Sequence, residues 1–290
     1  MLNTRPVLVV GASGRLGAAL THAFVDRGVV RHTRASLDIT DPAAVETIVA
    51  AAAPGVIVNC GAFNDVDGAE DRPAEAMAVN AFAVRTLARV ADACGATLVH
   101  YGTDFVFDGA ATAPYTEDAT PAPRSIYAMS KLLGDWFALD AAKAFVLRVE
   151  SLFGAPPGWS GRRGTLDGIV EGIRAGRDVR VFTDRTVSPS YVDDVAAATR
   201  YRVDTAAAPG LYHCVNSGLA TWYEVAEEAS RILGVAARLQ AATMGQVVLK
   251  AQRPKYCALA NGKLADAGFV MPTWQDGLRR WLTGHGEPSA

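Results

Sequence analysis

The chain has 290 residues, half of them apolar, and a formal net charge of −2. That length holds one large α/β domain plus a smaller lobe, and the balanced charge offers no basic stripe for nucleic acid and no polybasic patch for a membrane. No apolar run approaches the roughly 18 residues that span a bilayer. The run 7–10 follows Met1 too closely for a signal peptide, and Cys60, Cys94, Cys214 and Cys257 form no CxxC pair, so the expectation is a cytoplasmic protein with free thiols.

In chain order, short apolar runs alternate with longer amphipathic ones. A buried strand over 7–10 enters a glycine turn and a helix over 16–27. A second strand begins at Val29, a third covers 56–59, and after a loop comes a helix over 73–94. A strand over 97–101, a helix over 127–139 and a strand over 144–148 complete the series. This alternation predicts a Rossmann-type, doubly wound parallel sheet with helices on both faces.

Beyond residue 150 the pattern changes. Loop-like segments at 154–158 and 159–164 precede a helix over 165–175, a strand over 179–182, a helix near 191–201 and a strand over 210–214. A helix over 221–233 and a short helix near Trp281 follow, and 284–290 reads as a frayed tail. These pieces suit a small C-terminal α/β substrate-binding lobe. The expected division gives 1–153 and about 188–218 to a dinucleotide-binding domain, and 154–187 and 219–290 to the lobe.

Gly11-Ala-Ser13-Gly14-Arg15-Leu16-Gly17 follows the first strand and opens the first helix. Glycines allow the tight turn and the close approach of a pyrophosphate, and the helix N-terminus supplies N–H groups and partial positive charge. After the second strand, Arg31, His32 and Arg34 stand with no acidic residue. An acid there would bind ribose hydroxyls, whereas basic groups favour a 2′-phosphate, so NADP(H) is favoured and NAD(H) remains open. Asp38-Ile39 sits where an adenine edge could be held.

Tyr127-Ala-Met-Ser-Lys131 places a phenol and an ammonium one helical turn apart on one face. Reducing a ketone needs hydride at carbon and a proton at oxygen. A tyrosine of pKa ~10 donates that proton more readily when a nearby cation stabilises the phenolate. Lys131 is expected to do this for Tyr127, and Thr103, at the end of the preceding strand, to hydrogen-bond the same carbonyl oxygen. The expected catalytic group is Tyr127, Lys131 and Thr103. His100 and His213 fall on strands and read as core residues, while Trp222, Tyr223, Trp274 and Trp281 read as packing or anchoring residues. Asp65, Asp67, Glu70 and Asp71 read as a solvated loop, and no metal site is predicted.

These residues carry a resemblance to the extended short-chain dehydrogenases/reductases, and within them to the dTDP-4-dehydrorhamnose reductase group. It runs through Gly11–Gly17, 37–41, 58–70, Val79-Asn80-Ala81, 101–109, Pro114-Tyr-Thr-Glu117, Tyr127–Lys131, Ser188-Pro189-Ser190, 210–213, 221–224 and Arg253-Pro254. The resemblance implies reduction of the C4 ketone of a dTDP-6-deoxy-hexulose, with Tyr127 as proton donor and Lys131 as its partner, also holding the cofactor. It implies that Arg15-Leu16, Asp38-Ile39 and Cys60-Gly61-Ala62 line the cofactor, and that Thr103, Asp104, Phe105 and Ser151 lie near the sugar. The implied partner is a small-molecule nucleotide sugar, with the protein a monomer or a homodimer.

The sequence departs from the group in three places. Arg148-Val-Glu150-Ser151-Leu-Phe-Gly154 stands where R-T-S-W-V-Y-G is usual, so Ser151 replaces a tryptophan against the sugar and Glu150 is new. Gly102 replaces a serine before Thr103-Asp104. The loop 159–164, with Trp159, Arg162 and Arg163, also differs, and is expected to rebuild part of the pocket. Two other readings therefore stay open: a 4-ketoreductase or epimerase for another nucleotide deoxysugar, and a non-catalytic nucleotide-binding subunit such as methionine adenosyltransferase has.

Overall fold

The computed structural model describes residues 5–156, 159–205 and 207–284. Its first half is β1 (Val7–Val10), α1 (Arg15–Ala23), β2 (Val29–His32), α2 (Pro42–Ala52), β3 (Val56–Asn59), α3 (Val66–Asp71), α4 (Pro73–Met77), α5 (Ala83–Cys94), β4 (Thr97–Thr103), α6 (Ile126–Leu139) and β5 (Ala144–Val149). The second half holds β6 (Leu152–Phe153), α7 (Thr165–Arg174), β7 (Asp178–Phe182), β8 (Thr186–Val187), β9 (Ser190–Tyr191), α8 (Val192–Asp204) and β10 (Gly210–His213). It ends with β11 (Ala220–Thr221), α9 (Trp222–Leu233), β12 (Arg238–Ala242), α10 (Gly262–Asp266) and α11 (Trp274–Thr283).

Six strands form one parallel sheet in the order β10-β5-β4-β3-β1-β2, which is the predicted doubly wound architecture. The order reverses at β1, flanked by β2 and β3, and such a switch point opens a crevice at the carboxyl ends of the strands. β1, β3 and β5 are buried along their whole length, as a sheet covered on both faces requires. One face packs Leu16 and Leu20 of α1 and the following Phe24 with Val192 and Val195 of α8; the other packs Val45, Val84, Leu87 and Val146. A third core joins Phe153, Ile169, Ile173, Trp222, Trp274 and Leu278 around the β7–β12 pair. The chain then returns to the sheet: Leu264 and Met271 sit in the same core as β1.

Local differences from expectation have local causes. The helix expected over 16–27 ends at Ala23 and is followed by a 3-10 turn, Val25–Arg27. The helix expected over 73–94 is interrupted by a π-helical turn, Ala78–Phe82, that turns Asn80 inward. Part of the loop expected before it is α3, capped by Asp65, which accepts the Gly68 N–H at 3.0 Å. α2 was not foreseen; Asp41 caps it and Pro42 starts it.

The acidic cluster is not a solvated loop. Asp67 forms a two-pronged ion pair with Arg253 at 2.9 Å, Asp71 pairs with Lys250, and Glu70 accepts the Ile126 N–H at 2.8 Å, which anchors the start of α6. The partners lie up to 186 residues away, beyond any local pattern. His100 and His213 are buried, and burial lowers both; His213 falls to about 3. Trp222 and Trp274 are core residues of the C-terminal segment, and Trp281 packs on Phe153 with ring centres 5.7 Å apart.

Candidate active site

A cleft of about 1020 Å³ runs along the carboxyl ends of β1, β3, β4 and β5. One wall is the glycine turn. Gly11 has φ +75°, and a Cβ there would lie 2.7 Å from the carbonyl carbon of Cys60. A Cβ on Gly17 would lie 2.3 Å from the Gly11 carbonyl oxygen. Gly11 is therefore required by contact and by conformation, and Gly17 by contact. α1 starts at Gly14 with no side-chain cap, which leaves its first-turn N–H groups available to an anion. That uncapped helix end, with backbone approach kept open by glycines, fits the pyrophosphate of a dinucleotide.

Ser13, Gly14, Arg15, Leu16 and Gly17 line the cleft, as do Cys60, Gly61 and Ala62 at the end of β3. Thr103, Asp104, Phe105, Tyr127, Lys131 and Ser151 line its deeper part. Arg34, Asp38 and Ile39 stand outside this wall. Arg34 is exposed near Glu75, Asp38 accepts two hydrogen bonds from Thr40, and Ile39 packs beneath Gly61. The loop after β6 closes the outer side: the Trp159 indole N–H donates to the Ser13 carbonyl at 3.0 Å, and the Arg15 guanidinium stacks on the indole at 4.8 Å. Arg15 also pairs with Asp167 and donates to the Gly154 carbonyl at 2.8 Å. Arg162 and Arg163 line the same wall, and Arg163 also pairs with Glu171.

The geometry of the reacting groups is set from three sides. Ser125 caps α6 by accepting the Ala128 N–H, so the helix begins just before Tyr127. Asn80 accepts the Phe63 N–H at 2.8 Å and donates to the Ser130 hydroxyl at 2.9 Å, tying the turn after β3 to α6. A Cβ on Gly134 would lie 2.0 Å from the Asn80 carbonyl oxygen, so α6 reaches this turn only with glycine there. Beneath Thr103, Arg148 donates to Asp135 at 3.0 Å, both buried. A Cβ at Gly102 would fall 2.7 Å from Asp135 and 2.8 Å from the Arg148 side chain, which explains the glycine in place of the serine.

Tyr127 stands edge-on to Phe105, ring centres 5.6 Å apart and planes at 89°. Burial raises its phenol above the usual range, the Asp104 carboxylate raises it further, and the Thr103 hydroxyl opposes both. Lys131 does not turn to the phenol. Its ammonium donates to the Tyr101 carbonyl oxygen at 2.5 Å, and burial lowers it to about 8 despite the nearby Asp135. The expectation that Lys131 lowers the Tyr127 pKa is therefore not met: in this arrangement a strand-end carbonyl holds the ammonium, and burial dominates the phenol.

Sequence reasoning noted Glu150 as new but gave it no role, and it missed Asn80, Asp135 and Arg185 as site residues. Glu150 is buried, and its Oε2 accepts the Ser188 N–H at 2.7 Å. Arg185 lies over the Phe105 ring at 5.4 Å. The only linear signal for these is a charged residue amid an otherwise apolar strand, as in Arg148-Val-Glu150.

The whole chain has relatives. Residues 5–285 match the RmlD substrate binding domain family. A dTDP-4-dehydrorhamnose reductase from Streptomyces griseus is 37% identical over 286 residues, covering 94% of this chain and 90% of that one. A probable dTDP-4,6-dihydroxy-2-methyloxan-3-one 4-ketoreductase from Streptomyces antibioticus is 33% identical, covering 94% and 92%. Among solved structures, a Bacillus anthracis dTDP-4-dehydrorhamnose reductase in complex with NADP superposes with a TM-score of 0.90 at 28% identity, covering 97% of this chain and 99% of that one. This chain belongs to the RmlD substrate-binding domain family, within the extended short-chain dehydrogenases/reductases.

Proposed function

We propose that this chain is an NADP(H)-dependent oxidoreductase that reduces the C4 ketone of a dTDP-6-deoxy-hexulose to give dTDP-L-rhamnose. The observation that carries the reading is the convergence of Thr103, Tyr127 and Lys131 in one cleft with an uncapped glycine turn, in a family member. When bound, the nicotinamide supplies hydride to the ketone carbon. The chain supplies the rest. The first turn of α1 receives the pyrophosphate, and Arg31 in β2 and Arg34 just past it serve a 2′-phosphate. Thr103 orients the ketone oxygen, and Tyr127 delivers its phenolic proton there as negative charge develops. Lys131, charged below about pH 8, holds the strand end carrying Thr103 and offers positive charge to the ribose. Asp104, Phe105 and Ser151 face the sugar.

We assign residues 1–153 and about 188–218 to the cofactor half, and 154–187 and 219–290 to the substrate lobe. The β10 strand and α8 pack with the sheet, and the third core lies with α7, α9 and α11. No helix among the described residues is long and apolar enough to cross a membrane, and we place the protein in the cytoplasm. Phe82, Met129 and Trp136 stand exposed on and beside α6. A homodimer would bury them and a monomer would not, which sedimentation decides.

The second reading keeps the chemistry and changes the sugar. Ser151, at φ +46°, leaves room in the cleft where the resemblance expects a tryptophan, and the Streptomyces antibioticus relative is named for a different ketosugar. The test is NADPH oxidation, followed by absorbance, with freshly generated dTDP-4-dehydro-L-rhamnose. Stoichiometric oxidation to dTDP-L-rhamnose supports the first reading. Tight NADPH binding without oxidation overturns it in favour of another deoxysugar, an epimerase or a non-catalytic subunit.

A further inference from the structure

Behind Thr103 lies a buried group of side chains that joins Asp104 to two residues with no part in the reaction above. The Asp104 carboxyl, the Glu150 carboxyl and the Cys257 thiol come within 4.8 Å of one another. All three residues are at most 3% exposed. Asp104 Oδ2 and Glu150 Oε1 are buried without a hydrogen-bond partner among the described residues. The groups facing the pair are Arg185, Cys257, Tyr127 and Tyr256. Arg185 gives its guanidinium to the Cys257 sulfur at 3.9 Å, and the thiol hydrogen goes to the Pro254 carbonyl at 3.4 Å, so one nearby positive charge faces two carboxyls.

Two carboxylates this close in a dry site do not both ionise; one proton stays with the pair. The Thr103 hydroxyl touches this pair directly. Its hydrogen goes to Asp104 Oδ1 at 3.0 Å, while its oxygen accepts the Phe105 N–H at 3.3 Å. We propose that Asp104 and Glu150 hold a single proton between them, and that Glu150, by keeping that proton on the pair, sets the direction of the Thr103 hydroxyl. With Asp104 ionised, the Thr103 hydrogen is drawn to the carboxylate and away from the substrate. With the proton on Asp104, the acid donates to the Thr103 oxygen, and the Thr103 hydrogen is free for the ketone oxygen. No proton is consumed over a turnover; Tyr127 remains the donor. Glu150 is thus a positioning residue acting through Asp104. The inference rests on the reductase reading above.

The test uses the full chain and its Glu150→Gln and Glu150→Asp variants. Infrared spectra of the free protein at neutral pH are expected to show a buried protonated-carboxyl band that Glu150→Gln loses and Glu150→Asp keeps. Glu150→Gln removes the neighbouring negative charge, so Asp104 ionises at lower pH. The alkaline limb of kcat then moves down by about one pH unit or more. kcat at mildly alkaline pH falls about tenfold with KM nearly unchanged, less than the 10²–10³ from deleting an oxyanion donor outright. Glu150→Asp restores the limb. A missing band, an unmoved limb in Glu150→Gln, or a stoichiometric divalent cation found by elemental analysis would each overturn the proposal. The infrared measurement needs no turnover, so an inactive chain with the band intact condemns the reductase reading, whereas an active chain without the band condemns the proton pair.

Discussion

The Lys131 ammonium is held by the carbonyl oxygen of Tyr101 at 2.5 Å, two residues before Thr103 on the same strand. One lysine thereby joins α6 to the end of β4 and fixes the spacing between the proton donor and the group that orients the ketone. The tether uses one of the three ammonium hydrogens and leaves the others for ligands entering the cleft.

Tyr127→Phe removes the proton and keeps the ring against Phe105. NADPH affinity, read by fluorescence titration, is expected within about twofold of wild type, and kcat to fall by roughly 10²–10⁴. Near-wild-type turnover would remove Tyr127 from the mechanism.

The lowered Lys131 value has two consequences of opposite sign for activity and stability. The charged form serves catalysis, so kcat/KM is expected to fall as pH rises through about 8. Burying that charge costs stability below this pH, and the cost fades as the ammonium deprotonates in the folded protein. Lys131→Met should therefore raise the Tm at neutral pH while abolishing turnover. A lower Tm would show that the tether outweighs the burial cost.

Gly102→Ser places a hydroxymethyl group onto the Asp135–Arg148 pair. With contacts below 3 Å on both partners, the expected loss is about 2–4 kcal/mol by denaturant titration. Asp135→Asn in the same background should recover little, because Arg148 then stays buried without its counter-charge.

Arg162 and Arg163 differ in what they have left to give. Both line the outer side of the cleft, but Arg163 is already engaged with Glu171. Arg162→Ala is expected to raise the KM for nucleotide sugar or NADPH about tenfold, as loss of a charged contact to phosphate does. Arg163→Ala should change either by less than about twofold. Steady-state kinetics with each ligand varied in turn separates the two.

Burial raises both carboxyls of the Asp104–Glu150 pair above the usual carboxylate range, and Asp104 raises Glu150 further. A carboxyl raised in the folded state loses stability as pH rises from its unfolded value of ~4.3 toward the folded one. Glu150→Gln should melt higher than wild type at alkaline pH, and the difference should shrink toward pH ~4. A constant difference across the range would mean that the Asp104–Glu150 pair carries no such ionisation cost.

Much of the site was legible because its signals are short. The turn Gly11–Gly17 lies within one strand–helix junction, and Tyr127 and Lys131 lie within one turn of α6, so periodicity alone sets them on one face. Thr103 was found because it closes a strand, although β4 runs two residues beyond the expected end. The roles of Asn80, Asp135 and Arg185 were not legible. Asn80 works only because the π-helical turn redirects it to a loop 17 residues back and a helix 50 residues on. Asp67 and Asp71 of α3 take partners near residues 250–253, and nothing in their own spacing distinguishes such pairs from solvated charge.

What the sequence by itself determined is the set of local geometries: which runs become strands and helices, where glycine must stand, and which phenol and amine share a helical face. These depend on sterics and hydrogen bonding within a few residues. The tertiary structure alone decided that Lys131 bonds Tyr101 rather than Tyr127, that Glu150 meets Asp104, and that Trp159 crosses to Ser13. Each of these brings together groups from distant segments in a dry interior, where burial and the nearest available partner set protonation and orientation.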